Sequence, residues 1–328
     1  MVAGDDRFLT ARQDERRHGM KEGHVNEKVK VMVLGTTARA SYSAGEANKI
    51  RKAVMDRLIL ASMEPYLKVY AVVKYGRDGK PCAIVAYMLR AYTYTADVAR
   101  LSIDARYGVK SVDTSHVEED DTEFAIAQDK LPRSMSSRTV DMVFGTPVPE
   151  IPTAKAGVEE AYRVATLAGY RCVKLLGRAA NLANYRRYLS GHLKAFGNIG
   201  HGYAGGIILA NGVLTSKWFR GLTSGLASGL PGRALCPEVV YFNSCQTFNR
   251  PLQPAIMSAG ARTFIGGKVS LLIGSSEDVF KCFWTSVLKA RKLMRQALRD
   301  CEMVKYPVVG AHGLSGDSGK FQPIPQCW

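Results

Sequence analysis

The sequence predicts an α/β protein in two parts: a small α+β domain on an antiparallel meander, followed by a three-layer αβα domain on a mostly parallel sheet. Three observations carry this. From residue 67 to residue 112 short β-prone runs alternate with turn residues, the rhythm of hairpins. From residue 140 onward apolar strand-like runs alternate with longer amphipathic stretches, the rhythm of parallel strands joined by helices. Between them the polar run Arg-Ser-Met-Ser-Ser-Arg, residues 133–138, marks the boundary.

Residues 1–27 are polar, mixed in charge and without apolar periodicity, and are expected to form a disordered arm. The accessory α+β domain spans 28–135 and opens with an apolar strand over 30–34. A helix over 44–63 follows, because Ile50, Val54, Leu58 and Leu60 recur at near-helical spacing and Pro65 closes it. Strands over 67–75 and 83–94 are joined by Arg77-Asp78-Gly79-Lys80, an Asp-Gly turn between β-prone runs. A second pair, 99–105 and 109–112, turns at Tyr107-Gly108, and a short acidic helix over 120–130 ends at Pro132. The second domain, 138–303, reads as strand 140–144, helix 154–168, strand 171–176, helix 180–189, strand 193–199 and a hairpin over 206–214. Strand 239–242, helix 252–258, strand 263–266 and a long helix over 277–299 complete it, and the Gly- and Pro-rich tail 304–328 is expected to wrap the surface or fray.

A formal charge of +16, from 45 basic against 29 acidic residues, builds an attractive field for anionic partners. The basic residues are scattered, however. Their densest group, Lys289, Arg291, Lys292, Arg295 and Arg299, reads as a solvated helix face, so nucleic acid or an acidic protein is only a secondary candidate partner. No apolar run approaches a membrane span and the N-terminal residues lack the apolar stretch of a secretory signal, so a soluble cytoplasmic protein without a membrane partner is expected. Seven cysteines, at 82, 172, 236, 245, 282, 301 and 327, contain no CxxC pair and no even-numbered framework. They signal neither a zinc ribbon nor a disulfide scaffold, and fit a reducing interior in which a cysteine is ordinarily a small buried hydrophobe.

In open α/β sheets ligands collect outside the carboxyl ends of the strands. His201 and Cys245 both fall there, each just after an apolar strand, with one strand–loop unit between them. A thiol at its ordinary pKa is a poor nucleophile, and an adjacent imidazole is what activates it. Gly202 follows the histidine; without a side chain it lets a carbonyl oxygen approach its N–H, which with the N–H of Cys245 would make a two-donor oxyanion site. The other histidines carry less. His116 stands beside Glu118, Glu119, Asp120 and Asp121, which reads as a solvated helix cap rather than a metal site; His192 lies at the opposite strand end; His18, His24 and His312 fall in segments expected to be mobile. No metal-ligand set is read.

The block Gly197-Asn198-Ile199-Gly200-His201-Gly202, the block running from Val239 to Phe242 and on through Ser244-Cys245-Gln246-Thr247, and the run 259–267 resemble, in order and spacing, the caspase-like cysteine peptidase clan, above all its CHAT-type branch. The resemblance covers roughly residues 140–300. It implies a caspase-like αβα fold and an endopeptidase acting on protein or peptide substrates, with Cys245 as nucleophile, His201 as base and acid, and Gly202 and Cys245 as oxyanion donors. It implies no cofactor, although some relatives need calcium, and a regulatory protein partner or the N-terminal part of the chain as a control element. Where clostripain-like and legumain-like relatives carry an acidic residue two before the cysteine to bind the P1 side chain, this sequence has Asn243. Asp278 is then the acidic candidate for substrate binding, against its simpler role as a charge at a helix N-terminus. The rival reading is a catalytically inactive caspase-like module that binds nucleic acid or an acidic partner.

Overall fold

The computed structural model describes residues 28–36, 39, 41–114, 140–190, 193–227, 237–306 and 309–321. The expected arm 1–27, the acidic helix 120–130, the linker 133–138 and the His116 cluster lie outside them, as do His18, His24, His192, Cys236 and Cys327. The chain divides into two compact units, the first made of Met1–Val33, Tyr42–Ala91 and Val98–Ser115, the second of Leu34–Ser41, Tyr92–Asp97 and His116–Trp328.

The first unit's sheet runs in the order β1 (Lys30–Leu34), β2 (Tyr66–Tyr75), β3 (Pro81–Arg90), β4 (Ala96–Ile103) and β5 (Val109–Asp113). The β2–β3 and β4–β5 pairs are antiparallel, as the hairpin signals predict. Helix α1 (Ala44–Val54) starts at Ser43, whose hydroxyl accepts from the Glu46 N–H while the Glu46 carboxylate accepts from the Ser43 N–H. It continues as a π-helical turn over Met55–Ile59. Ile50, Val54, Leu58 and Ile59 from this helical run pack with Val69, Ala71, Val73, Ile84, Ala86, Ala99 and Leu101 of the strands.

The second unit holds a sheet that, among the described residues, has six strands in the order β14 (His312–Gly316), β13 (Thr263–Gly267), β12 (Val239–Asn243), β8 (Ala195–Ile199), β6 (Met142–Thr146), β7 (Cys172–Leu176). All pairs are parallel except β13–β14. Alternation along each strand divides the core in two. Met142, Phe144, Ala195, Ile199, Val239, Tyr241 and Ile265 pack with α2 (Pro152–Leu167), α6 (Ser275–Leu288) and α7 (Met294–Lys305). Val143, Phe196, Val240, Phe242 and Phe264 point the other way, onto α3 (Leu182–Leu189), α4 (Ser216–Ala227) and α5 (Leu252–Ser258). This is the three-layer αβα arrangement the sequence predicts. A small antiparallel sheet of β9 (Gly202–Tyr203), β10 (Gly206–Leu209) and β11 (Gly212–Thr215) follows β8.

Three expectations need correction. The single helix over 277–299 is two helices, because Arg291 takes φ +50°, a left-handed conformation that no helix continues through. The tail is not merely surface chain: β14 completes the sheet edge, and His312, expected to be mobile, is buried. Cys282 on α6 and Cys301 on α7 form a disulfide, closing a loop of sequence separation 19 that no spacing motif announced.

Candidate active site

Strand order reverses between β6 and β8, and at such a switch the loops leaving neighbouring strands diverge and open a crevice at the carboxyl ends. His201 leaves β8 and Cys245 leaves β12, two strands paired in parallel with Asn243 opposite Ile199. Asn198 on β8 fixes both exits. Its amide nitrogen donates to Ser244 Oγ (3.3 Å), and its oxygen accepts from the Tyr185 hydroxyl (2.7 Å). The His201 carbonyl accepts from the Ile208 N–H of β10 (2.9 Å), which anchors the backbone beyond the histidine.

His201 and Cys245 are both fully buried. Cys245 Sγ accepts a hydrogen bond from the Leu271 N–H (2.9 Å), and its thiol donates to the Leu271 carbonyl (3.7 Å). Gln246, the next residue, has φ +56°, so the chain turns sharply after the thiol.

Two backbone donors converge beside this sulfur. The N–H groups of Gly202 (2.9 Å) and Cys245 (3.4 Å) both donate to one oxygen, the carbonyl of Tyr94. This is the pair expected as oxyanion donors, and a carbonyl oxygen held by two N–H groups is what such donors bind. Gly202 is required sterically: a Cβ there would lie 2.9 Å from Ser244 Cβ and 2.9 Å from Thr247 Cγ2.

Tyr94 belongs to the second unit, although it falls in sequence between β3 and β4. Its N–H donates to the Leu271 carbonyl (3.0 Å), and the Ile273 N–H donates to the Tyr92 carbonyl (3.1 Å). Thr93 pairs antiparallel with Leu272, and Thr95 pairs in parallel with Gly202. Residues 92–95 therefore pass between the 271–273 loop and Gly202 as a segment that bends at Tyr92 and Tyr94 and is joined on either side by an isolated bridge. Tyr306 props that loop from behind, accepting from the Leu272 N–H (2.8 Å).

The Tyr94 ring lies edge-on to His201, with centroids 5.5 Å apart, and its hydroxyl donates to Glu277 Oε1 (2.6 Å). Glu277 is fully buried in the first turn of α6 and accepts three further hydrogen bonds: from the Thr153 hydroxyl (2.6 Å), the Gly274 N–H (2.7 Å) and the Ser276 hydroxyl (3.1 Å). Burial, then the charge and hydrogen bond of Glu277, push the Tyr94 phenol well above its ordinary value, so Tyr94 stays a donor.

The two residues expected to bind substrate are each held by other protein groups. Asp278 is half exposed and ion-paired with Lys281. Asn243 is buried, donating from Nδ2 to Ser276 Oγ (3.3 Å) with its oxygen 2.9 Å from His312 Nε2. Sequence reasoning missed Tyr94, which looked like the end of a strand, and Glu277, which looked like any acid in a first helical turn. Among the described residues no three His, Cys, Asp or Glu side chains gather to hold a metal ion. Among them, too, no helix is long and apolar enough to cross a membrane.

No protein-family model matches this chain, and no curated protein matches it. Among solved structures it is similar to the Arg-specific cysteine proteinase gingipain R, with 12% identity and a TM-score of 0.45 over 56% of this chain and 48% of that one. It is also similar to the complex of RgpB pro- and mature domains from Porphyromonas gingivalis, with 10% identity and a TM-score of 0.42 over 56% and 48% of the two chains. The chain thus spans about half the length of these structures.

Proposed function

We propose that this chain is a caspase-like cysteine endopeptidase in which Cys245 is the nucleophile and His201 the base. The observation that carries the reading is the convergence of the Gly202 and Cys245 N–H groups on one carbonyl oxygen beside the Cys245 thiol. In this mechanism the thiol gives its proton to His201 and sulfur bonds to the substrate carbonyl carbon. The carbonyl π-pair moves onto oxygen, where the two N–H groups hold it. Collapse breaks the C–N bond, His201 returns the proton to the leaving amine, and a thioester remains. Water then adds to the thioester with His201 as base, releasing the carboxylic acid and restoring the thiol. The run 259–267 supports the CHAT-type branch, and the substrates are peptides or proteins.

Regulation by the N-terminal part is part of this reading, supported by the place of Tyr94 in the sequence between β3 and β4. A second reading, an inactive scaffold, draws on the burial of both side chains. The test is turnover of a mixed fluorogenic peptide pool by wild type, Tyr94→Gly and Cys245→Ala. Turnover by either of the first two, abolished in the third, is expected. Its absence from both, with salt-dependent binding to an oligonucleotide in its place, would support the scaffold reading.

A further inference from the structure

We infer that residues 92–95 occupy the substrate cleft as a built-in peptide, with Tyr94 in the position of a substrate's P1 residue, and that Glu277 is the residue that reads the P1 side chain. This rests on the peptidase reading and deepens it.

The register is set by backbone alone. The Tyr94 carbonyl is the one held by the Gly202 and Cys245 N–H groups, which makes Tyr94 the residue before the bond that would be cut. The Tyr94 N–H to Leu271 O bond and the Ile273 N–H to Tyr92 O bond align the residues before it along the 271–273 loop by main-chain pairing, the way a peptide adds to a strand edge. Any extended peptide can repeat these contacts, because they use no side chain. Discrimination must then come from the pocket the P1 side chain enters.

The Tyr94 side chain marks that pocket, passing His201 to end on Glu277. Among the described residues Glu277 accepts from four donors, of which Thr153, Gly274 and Ser276 belong to the walls and Tyr94 comes from the bound segment. A peptide that displaces residues 92–95 takes away that one donor. A P1 lysine or arginine, long enough to reach as far as the phenol, replaces it and also neutralises the buried carboxylate. A P1 tyrosine replaces the hydrogen bond alone. Leucine leaves the carboxylate short of a partner, and aspartate sets a second negative charge beside it. The preference is for a basic P1 residue, then tyrosine, with apolar and acidic residues rejected. Asp278, ion-paired with Lys281, does not take part, and Asn243 reaches the pocket only through Ser276, donating to the hydroxyl that donates to Glu277.

The experiment measures kcat/KM on the full chain for fluorogenic peptides identical except at P1, which is Arg, Lys, Tyr, Leu or Asp, for wild type, Glu277→Gln and Tyr94→Gly. Wild type is expected to cleave the Arg and Lys peptides at least about 100-fold faster than the Leu and Asp peptides, since a site built to bond a polar group rejects substrates lacking it. Glu277→Gln should compress that ratio by about 10-fold or more, and Tyr94→Gly should raise the rate on all cleavable peptides. Leu or Asp preferred by wild type, or a Tyr94→Gly rate no higher than wild type, would overturn the inference while leaving the peptidase reading intact; because the first readout uses wild type, misfolding of a variant does not rescue it. No cleavage of any peptide by any form would instead sink the peptidase reading, and this inference with it.

Discussion

His201 and His312 are both buried in the second unit, one just after β8 and the other on the edge strand β14, yet their surroundings differ in kind. His312 bridges two fixed protein groups. Its Nδ1 lies 2.9 Å from Glu302 Oε1 and its Nε2 2.9 Å from Asn243 Oδ1, so it ties α7 and β12 to the edge strand. His201 packs against Tyr94, whose carbonyl is held by the N–H of the residue after the histidine. One histidine is a strut between elements; the other borders a cleft filled by a segment of chain. Burial alone therefore does not separate the two histidines, whereas the identity of their neighbours does.

The sharpest break in the comparison is in rate. Cys245→Ala or His201→Ala should lower peptide turnover by roughly 10⁴-fold or more, with thermal unfolding little changed, because these groups act as a unit. The same experiment on His312→Ala should show the opposite pattern. Breaking a buried pair should cost about 3 kcal/mol in a urea titration, while the ranking of P1 residues among the molecules that remain folded is kept. A His312→Ala protein of wild-type stability would dissolve the distinction.

The Glu302 side of the strut should appear in the pH dependence of stability. Burial pushes the Glu302 carboxyl up, but the hydrogen bond and charge of His312, with the N–H groups of His312 and Gly310, outweigh it and hold the carboxyl below its ordinary range. A folded-state value below the unfolded one gives a contribution that is full above the unfolded value of about 4.3 and lost as pH falls through the folded one. Denaturant titrations from neutral pH down to about pH 3 should therefore show Glu302→Gln less stable at neutral pH and less sensitive to acid than wild type.

Of similar or smaller size is the Cys282–Cys301 link. Its loss in Cys301→Ser should cost about 2–4 kcal/mol, read as a lower thermal midpoint, without altering P1 ranking. Smallest is Asp278→Asn, which removes a half-exposed ion pair with Lys281 and should change stability by less than about 1 kcal/mol, with P1 ranking unmoved. A changed P1 ranking in this variant, but not in Glu277→Gln, would return the specificity role to Asp278.

The contrast between the two histidines also separates what was legible in the sequence from what was not. Strands such as Val239–Asn243 were legible because their apolar run is buried on both faces and ends at polar residues. The placement of His201, Gly202 and Cys245 at one end of the sheet was legible because topology sends the loops after β8 and β12 there. The strut was hidden because the His312–Gly316 strand is Gly-rich and has little β-propensity of its own; pairing with β13 decides it. Tyr94 was hidden because its role is played by its main-chain carbonyl, which every residue has. Glu277 was hidden because an acid in a first helical turn is explained by the helix dipole, and only its burial and its hydrogen bonds, that of Tyr94 among them, distinguish it from Asp278. The disulfide joins helices that the sequence merged into one. Since such bonds persist in oxidising compartments, it also runs against the reducing interior that the cysteine pattern suggested.

The central claim is that the Cys245 thiol is activated by His201 in a cleft closed by residues 92–95. The most direct measurement is trace alkylation of the native protein with iodoacetamide at about pH 6.5, below the ordinary thiol pKa, with mass mapping of every cysteine in wild type, Tyr94→Gly and Tyr94→Gly/His201→Ala. Exposed Cys82 serves as the accessible reference and Cys172, pushed up to about 11 by burial, as the inert one. The account predicts slow labelling of Cys245 in wild type, labelling faster than Cys82 once Tyr94 is removed, and loss of that gain when His201 is removed as well. Labelling of Cys245 no faster than Cys172 in all three proteins would contradict it.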